Sequence, residues 1–260
     1  MEYAERFVYT IQSHQCGGDK RLKPHVFFNM LEDAAWRNAE TLGFGYASMA
    51  AEGRFWAISR ITLAVDRYPL WGEEAMVETW PKRLSGPFAL RDFLVRANGG
   101  AVVMRSASAW IMVDAATGRA VRPQGAFLTS LARYTGAPDA LAEPPGKVRG
   151  ATASTPGAAF DAPHSAEDVN GHVNNGEFVR WAHDVVQADF RPPGTKAGAA
   201  GPCRIDAEFR AEVKRGEALA IHGAASSAGE EPPWSLAEGK LEDGRAAFAV
   251  RFTWPPAESA

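Results

Sequence analysis

The chain has 260 residues, 46% hydrophobic and 23% charged, an ordinary globular composition with length for one large or two small domains. A net charge of −3 excludes the bulk basic field that points to nucleic acid. Two widely separated cysteines, Cys16 and Cys203, fit no metal or redox spacing; with no secretory leader and no long apolar run, a reducing cytoplasm and no membrane span are expected. There is no Walker A loop, G-x-S-x-G elbow, HExxH or G-x-G-x-x-G, which weighs against ATP-driven chemistry, α/β-hydrolase serine chemistry and dinucleotide binding.

Residues 3–12 alternate as a strand, and Cys16-Gly17-Gly18-Asp19 is a turn. Pro24 to Leu42 carries a mostly apolar stripe at helical spacing and stops at Gly43. Long strands follow over Arg54–Arg67, Glu74–Leu84, Phe88–Ala97 and Ala101–Val113, with a hairpin signal at Asn98-Gly99-Gly100. Thr135 to Gly157 is rich in Ala, Pro and Gly and reads as a connection. The order then repeats: a strand over Ala158–Ala166, a helix over Asn174–Phe190, a loop over Pro192–Pro202, and strands near 203–213, 217–226, 233–242 and 245–254. Three segments are expected: a first unit over 1–134, a linker over 135–157 and a second unit over 158–260.

The repetition extends to residues. Ile61 to Glu73 lies over Ile205 to Glu217 at an offset of 144, matching Arg60 with Arg204 and Gly72-Glu73 with Gly216-Glu217. Near the helices an offset of 147 places His25-Val26 on His172-Val173. The second copy contains Asp168, Asn170 and His172, just before a helix with Asn174 as N-cap, Glu177 completing a capping box, and Val173 and Phe178 as a hydrophobic staple. At the 147 offset the first copy has Arg21, Lys23 and His25, with Phe27-Phe28 in place of Asn174-Asn175; at the 144 offset Tyr68 stands for Glu212. The polar cluster therefore belongs to one copy alone, where a helix N-terminus offers N–H groups to a developing oxyanion. An ordinary polar turn with a satisfied histidine is the competing interpretation. A metal site at His164, Asp168 and His172 would need a continuous helix, against which Asn170-Gly171 argues for a turn.

The run Asp168-x-Asn170-x-His172-Val173-Asn174-Asn175 with Trp181 resembles the central motif of the acyl-acyl-carrier-protein thioesterases, plant plastid enzymes and their bacterial relatives. Trp56-x-x-Ser59-Arg60, Phe209-Arg210-x-Glu212 and Gly216-Glu217 extend the resemblance over about residues 3–254. It implies an α+β double hotdog, two tandem units each with a long helix wrapped by an antiparallel sheet. It also implies hydrolysis of fatty acyl thioesters, with Asp168, Asn170, His172 and Glu212 catalytic and no metal or cofactor. Asn174 and Asn175 are expected at the substrate, and Phe27, Phe28, Met30, Leu31, Trp36 and Trp56 along an acyl-chain slot in the first unit. Where many plant members have Cys after the motif Glu, this chain has Val213, which excludes a cysteine nucleophile there. The implied partner is an acyl carrier protein bearing a phosphopantetheine-linked chain, with Lys20, Arg21, Lys23, Arg119 and Arg122 as candidate docking cations. An acyl-CoA thioesterase, a hotdog dehydratase and an acyl-chain-binding module stay open as alternatives, as do monomer and homodimer.

Overall fold

The computed structural model describes residues 3–192 and 201–255. The loop expected over Pro192–Pro202 falls mostly on residues 193–200, outside the described residues. In the first half, β1 (Glu5–Thr10) leads through a 3-10 turn to α1 (Pro24–Thr41) and a short α2 (Tyr46–Ala51). Then come β2 (Arg54–Val65), β3 (Glu74–Ser85), β4 (Phe88–Ala97), β5 (Val102–Asp114), β6 (Ala120–Val121) and α3 (Ala126–Leu131). The second half has β7 (Thr155–Asp161), a 3-10 turn at His164–Ala166, α4 (Asn175–Asp189), β8 (Cys203–Phe209), β9 (Ala218–Ala225), β10 (Trp234–Leu241) and β11 (Ala246–Thr253).

These elements form for local reasons. Pro24 opens α1 at a position where its missing N–H costs nothing, and Gly43, at φ +80°, follows its end. Asn98 and Gly99 both take positive φ as the central residues of the turn between β4 and β5, which Gly100 N closes onto Ala97 O at 3.0 Å. α2 and α3 have six residues each, too few for a helical period to declare itself.

The described strands make one antiparallel sheet in the order β1-β3-β4-β5-β2-β8-β11-β10-β9-β7, with β6 on β5. The order is the same read from either end once β7, β9, β10, β11 and β8 stand for β1, β3, β4, β5 and β2. At the seam Thr62 pairs with Asp206, its own counterpart at the offset of 144, and Thr62 Oγ1 donates to Asp206 Oδ1 at 2.6 Å. A pseudo-two-fold axis therefore passes through this pair, with Arg60↔Glu208 and Ala64↔Arg204 as symmetry mates. α1 and α4 pack on the sheet and on each other, and Phe27, Phe28, Leu31, Phe178, Val186 and Phe248 share the main core. This is the double hotdog the resemblance implies.

The helices correct the 147 offset. Lys23 and Asn174 are the residues preceding α1 and α4. Lys20, at φ +63°, stands where Gly171, at φ +75°, stands. The bonds Gly17 N→Arg21 O and Lys23 N→Gln15 O recur as Asp168 N→His172 O and Asn174 N→Ala166 O. Asp168, Asn170 and His172 thus correspond to Gly17, Asp19 and Arg21, not to Arg21, Lys23 and His25. Asn174-Asn175 corresponds to Lys23-Pro24, not to Phe27-Phe28. A matched His-Val dipeptide misled the alignment by one helical turn, the shift that preserves an apolar stripe.

The connection over 135–154 has no helix or strand, yet it is not a free tether. Val148 is buried against Leu236 and Ala249, its N–H reaches Glu208 Oε2 at 3.2 Å, and its carbonyl accepts from Arg210 Nη2 at 2.8 Å.

Candidate active site

The loop between β7 and α4 is built by its own side chains. Gly171 permits the left-handed residue that lets Asp168 N–H reach His172 O at 2.8 Å. Asp168 Oδ1 accepts from the N–H groups of Asn170 (2.8 Å) and His172 (3.4 Å), and Oδ2 from Asn170 Nδ2 (3.3 Å). Asp168 is therefore the brace of the loop, which presents the Asn170 amide and the His172 imidazole outward. Because the chain runs 3-10, extended and then turned here, His164, Asp168 and His172 share no helical face, and the metal alternative loses its geometric premise. His164 lies instead 3.1 Å from Arg215 Nη1.

Glu212 comes from the other half of the site. It was expected on a strand, but β8 ends at Phe209. Arg210 and Ala211 both donate to the single carbonyl of Ala247, an irregularity that turns the chain out of the ladder. Val213 O then accepts from Val173 N at 2.7 Å, tying the two loops together. The result is a contact of 3.2 Å between His172 Nε2 and Glu212 Oε2, with side chains 28% and 57% exposed. At the symmetry-related position Tyr68 is buried against Cys203, so no such pair exists there.

Asn174 caps α4: its Oδ1 accepts from Gly176 N at 2.7 Å. The capping box is not completed, because Glu177 turns to Arg180 instead. Asn174 Nδ2 and Asn175 Nδ2 point to α1, where they donate to Glu32 Oε2 and Oε1, each at 3.4 Å. Glu32 escaped the sequence reading. Its signal was a carboxylate one turn from Phe28 and Ala35, both buried on α1. Burial, with Asp168's charge, pushes the half-buried Glu32 carboxyl up to about 7, against the pull of its two amide donors.

The expected acyl-slot residues divide. Phe27, Phe28 and Leu31 are in the main core; Phe28 meets Phe209 edge-on at 5.5 Å. Met30 lines a cavity of about 370 Å³ with Tyr9, His25, Asn29 and Asp33. Trp36 does not join them: it is on the solvent side of α1, 44% exposed and stacked on Tyr46. Trp56 packs instead in a separate cluster with Phe44 and Phe127, because α3 covers that end of β2. Among the docking candidates, Lys20, Arg21 and Lys23 belong to the symmetry mate of the catalytic loop; of the cations near Glu212 in the chain, Arg210 is paired with Glu208, and Lys214 and Arg215 are exposed. Cys203 is no nucleophile candidate, since burial pushes its thiol up to about 11.

Residues 2–128 match the family model described as acyl-ACP thioesterase N-terminal domain, and residues 160–255 the model described as acyl-ACP thioesterase C-terminal domain. Among curated relatives, a chloroplastic palmitoyl-acyl carrier protein thioesterase of Gossypium hirsutum is 25% identical over 95% of this chain and 63% of its own length. The same protein type in Arabidopsis thaliana is 29% identical over 66% of this chain and 45% of its own length. The chain thus spans about half to two thirds of the length of the curated relatives it matches. Among solved structures, an acyl-ACP thioesterase from Bacteroides thetaiotaomicron superposes with a TM-score of 0.79 at 21% identity, covering 97% of this chain and 98% of its own. The 12:0-ACP thioesterase from Umbellularia californica does so with a TM-score of 0.78 at 23% identity, covering 98% and 95%. These likenesses show the fold.

Proposed function

The chain belongs to the acyl-ACP thioesterase family, and from that premise we propose that it hydrolyses fatty acyl thioesters carried on acyl carrier protein, by direct attack of water. The observation that carries the proposal is the 3.2 Å approach of His172 Nε2 and Glu212 Oε2 beside the Asp168-braced Asn170.

In this mechanism water attacks the thioester carbon while Glu212 takes its proton. Asn170 Nδ2 and the His172 imidazole donate to the carbonyl oxygen as negative charge builds there. Collapse of the tetrahedral intermediate breaks the C–S bond, and the proton held by Glu212 passes to the departing sulfur. The products are a free fatty acid and the phosphopantetheine thiol. Asp168 acts on the reaction through Asn170 and the loop. In the division of labour proposed here, residues 1–134 hold the acyl chain along Phe27, Phe28, Met30 and Leu31, residues 135–157 connect, and residues 158–260 carry the chemistry.

Thiol release measured over a ladder of acyl-carrier substrates tests the reading, with acyl-CoA and a β-hydroxyacyl thioester as comparison substrates. Release from acyl carriers that falls by about 10²-fold or more in Glu212→Gln is the expected result. Binding of acyl chains without thiol release, or loss of water from the β-hydroxyacyl substrate instead, would replace it.

A further inference from the structure

The first half supplies one side chain to the catalytic end of the second. Glu32 lies on α1, yet its two carboxylate oxygens each face one asparagine amide of the first turn of α4. Those amides follow His172 by two and three residues, and Asn174 is also the cap that fixes where α4 begins. We propose that Glu32 is a positioning residue for hydrolysis: it clamps Asn174 and Asn175, and through them sets the approach of the Asp168–His172 loop to Glu212. The proposal rests on the thioesterase reading given above.

Three observations support it. First, the clamp is unsymmetrical. The pseudo-two-fold mate of Glu32 is His183, and the mates of the two asparagines are Lys23 and Pro24, so neither carboxylate nor amides exist at the other helix crossing. A carboxylate needed only to pack α1 on α4 would serve equally at both crossings. Second, the crossing is close at this point. The Asn29 side chain, one turn before Glu32 on α1, lies where a Cβ on Gly176 would be, so the two helices meet side chain to backbone at this point. Third, the location is unfavourable for a carboxylate. It is half-buried, has two long amide contacts and no cation among its described partners, and faces the like charge of Asp168. An ionisable group kept where burial and like charge disfavour it is a functional candidate.

The two amides are held best by the ionised carboxylate, both of whose oxygens accept. Protonation turns one of its oxygens into a hydroxyl that donates and accepts only weakly, so one Asn Nδ2 loses its charge-assisted acceptor. Asp168, from the loop, is the charged group facing Glu32; Asn174 and Asn175 face it from α4.

The test uses the full chain. Glu32→Ala and Glu32→Gln are compared with wild type by thiol release from an acyl carrier protein, by melting temperature, and by pH-titrated NMR of the Asn174 and Asn175 side-chain amides. The expected result for Glu32→Ala is a fall in kcat of about 100-fold, the scale of a misplacement of about 1 Å, with KM little changed and the melting temperature not lowered. Adding Asn175→Ala to Glu32→Ala should cost little more, because the two act as one unit. Both amide signals should titrate together with a midpoint near 7 in wild type and lose that midpoint in Glu32→Gln. Wild-type kcat in Glu32→Ala, a loss matched by unfolding, or additive losses in the double variant would overturn the proposal. If the wild type releases no thiol, the thioesterase reading fails by itself. The amide titration then decides the clamp: a common midpoint retains it, and amides indifferent to pH overturn it.

Discussion

At the residue scale, the two carboxylates near the site lie in opposite surroundings. A general base is often tuned by burial. Glu212, beside His172, is more than half exposed, while the more buried carboxylate is Glu32, across the helix crossing. Exposure gives Glu212 little structural duty, so Glu212→Gln should leave the melting temperature within about 1 °C while thiol release falls by about 10²-fold. Glu32 carries the opposite signature. Its carboxyl rises from 4.5 to about 7 on folding, so between those pH values the folded chain holds a proton that the unfolded chain has released. Stability from this group is therefore present at low pH, falls as pH rises through that window, and is level above it. Glu32→Gln should remove that slope and raise stability at pH 8 by on the order of 3 kcal/mol, read from denaturant unfolding at pH 5 and pH 8.

At the element scale, the N-terminus of α4 is where local chemistry and helix packing meet. Asn174 was legible as a cap, because an amide followed by an apolar helical period is a local signal. What its other end does was not legible, because Glu32 is 142 residues away in the chain. Asn174→Ala should lose about 1 kcal/mol of stability with the cap, and also lose kcat, whereas Asn174→Asp should restore the cap but not the donor to Glu32. Unfolding and thiol release measured on the two variants separate those losses. Gly176 is the second constraint on this helix. Gly176→Ala would set its Cβ against Asn29 Oδ1, so the Asn29 side chain must swing aside, and the helix-propensity gain of alanine, about 1 kcal/mol, should be partly offset in denaturant unfolding.

At the scale of the whole molecule, the sheet seam and the helix crossing make the two halves one body. The β2–β8 ladder, Arg60 Nε to Glu208 Oε1 at 3.1 Å, and the α1–α4 contact all cross between them. A specific protease site placed in the exposed part of the connection near 142–144 should therefore yield a nicked protein whose fragments elute together and still release thiol; separated fragments should not. Gel filtration and activity before and after cleavage check this. Among the described residues no helix is long and apolar enough to cross a membrane.

The sequence by itself determined the duplicated strand–helix–sheet order, the antiparallel strands, and the confinement of Asp168, Asn170 and His172 to one copy. Each of these is written in local periodicity or in turn chemistry. The tertiary structure alone decided three things. It set the helix register at Lys23 opposite Asn174, because positive-φ residues and backbone hydrogen bonds, not side-chain identity, define equivalent turns. It turned Trp36 to solvent and Trp56 into a separate cluster, because an apolar residue's partners depend on what packs over it. It also brought Glu32 of the first half to the asparagines of the second, since a contact across a pseudo-two-fold axis leaves no trace in the spacing of either strand of sequence.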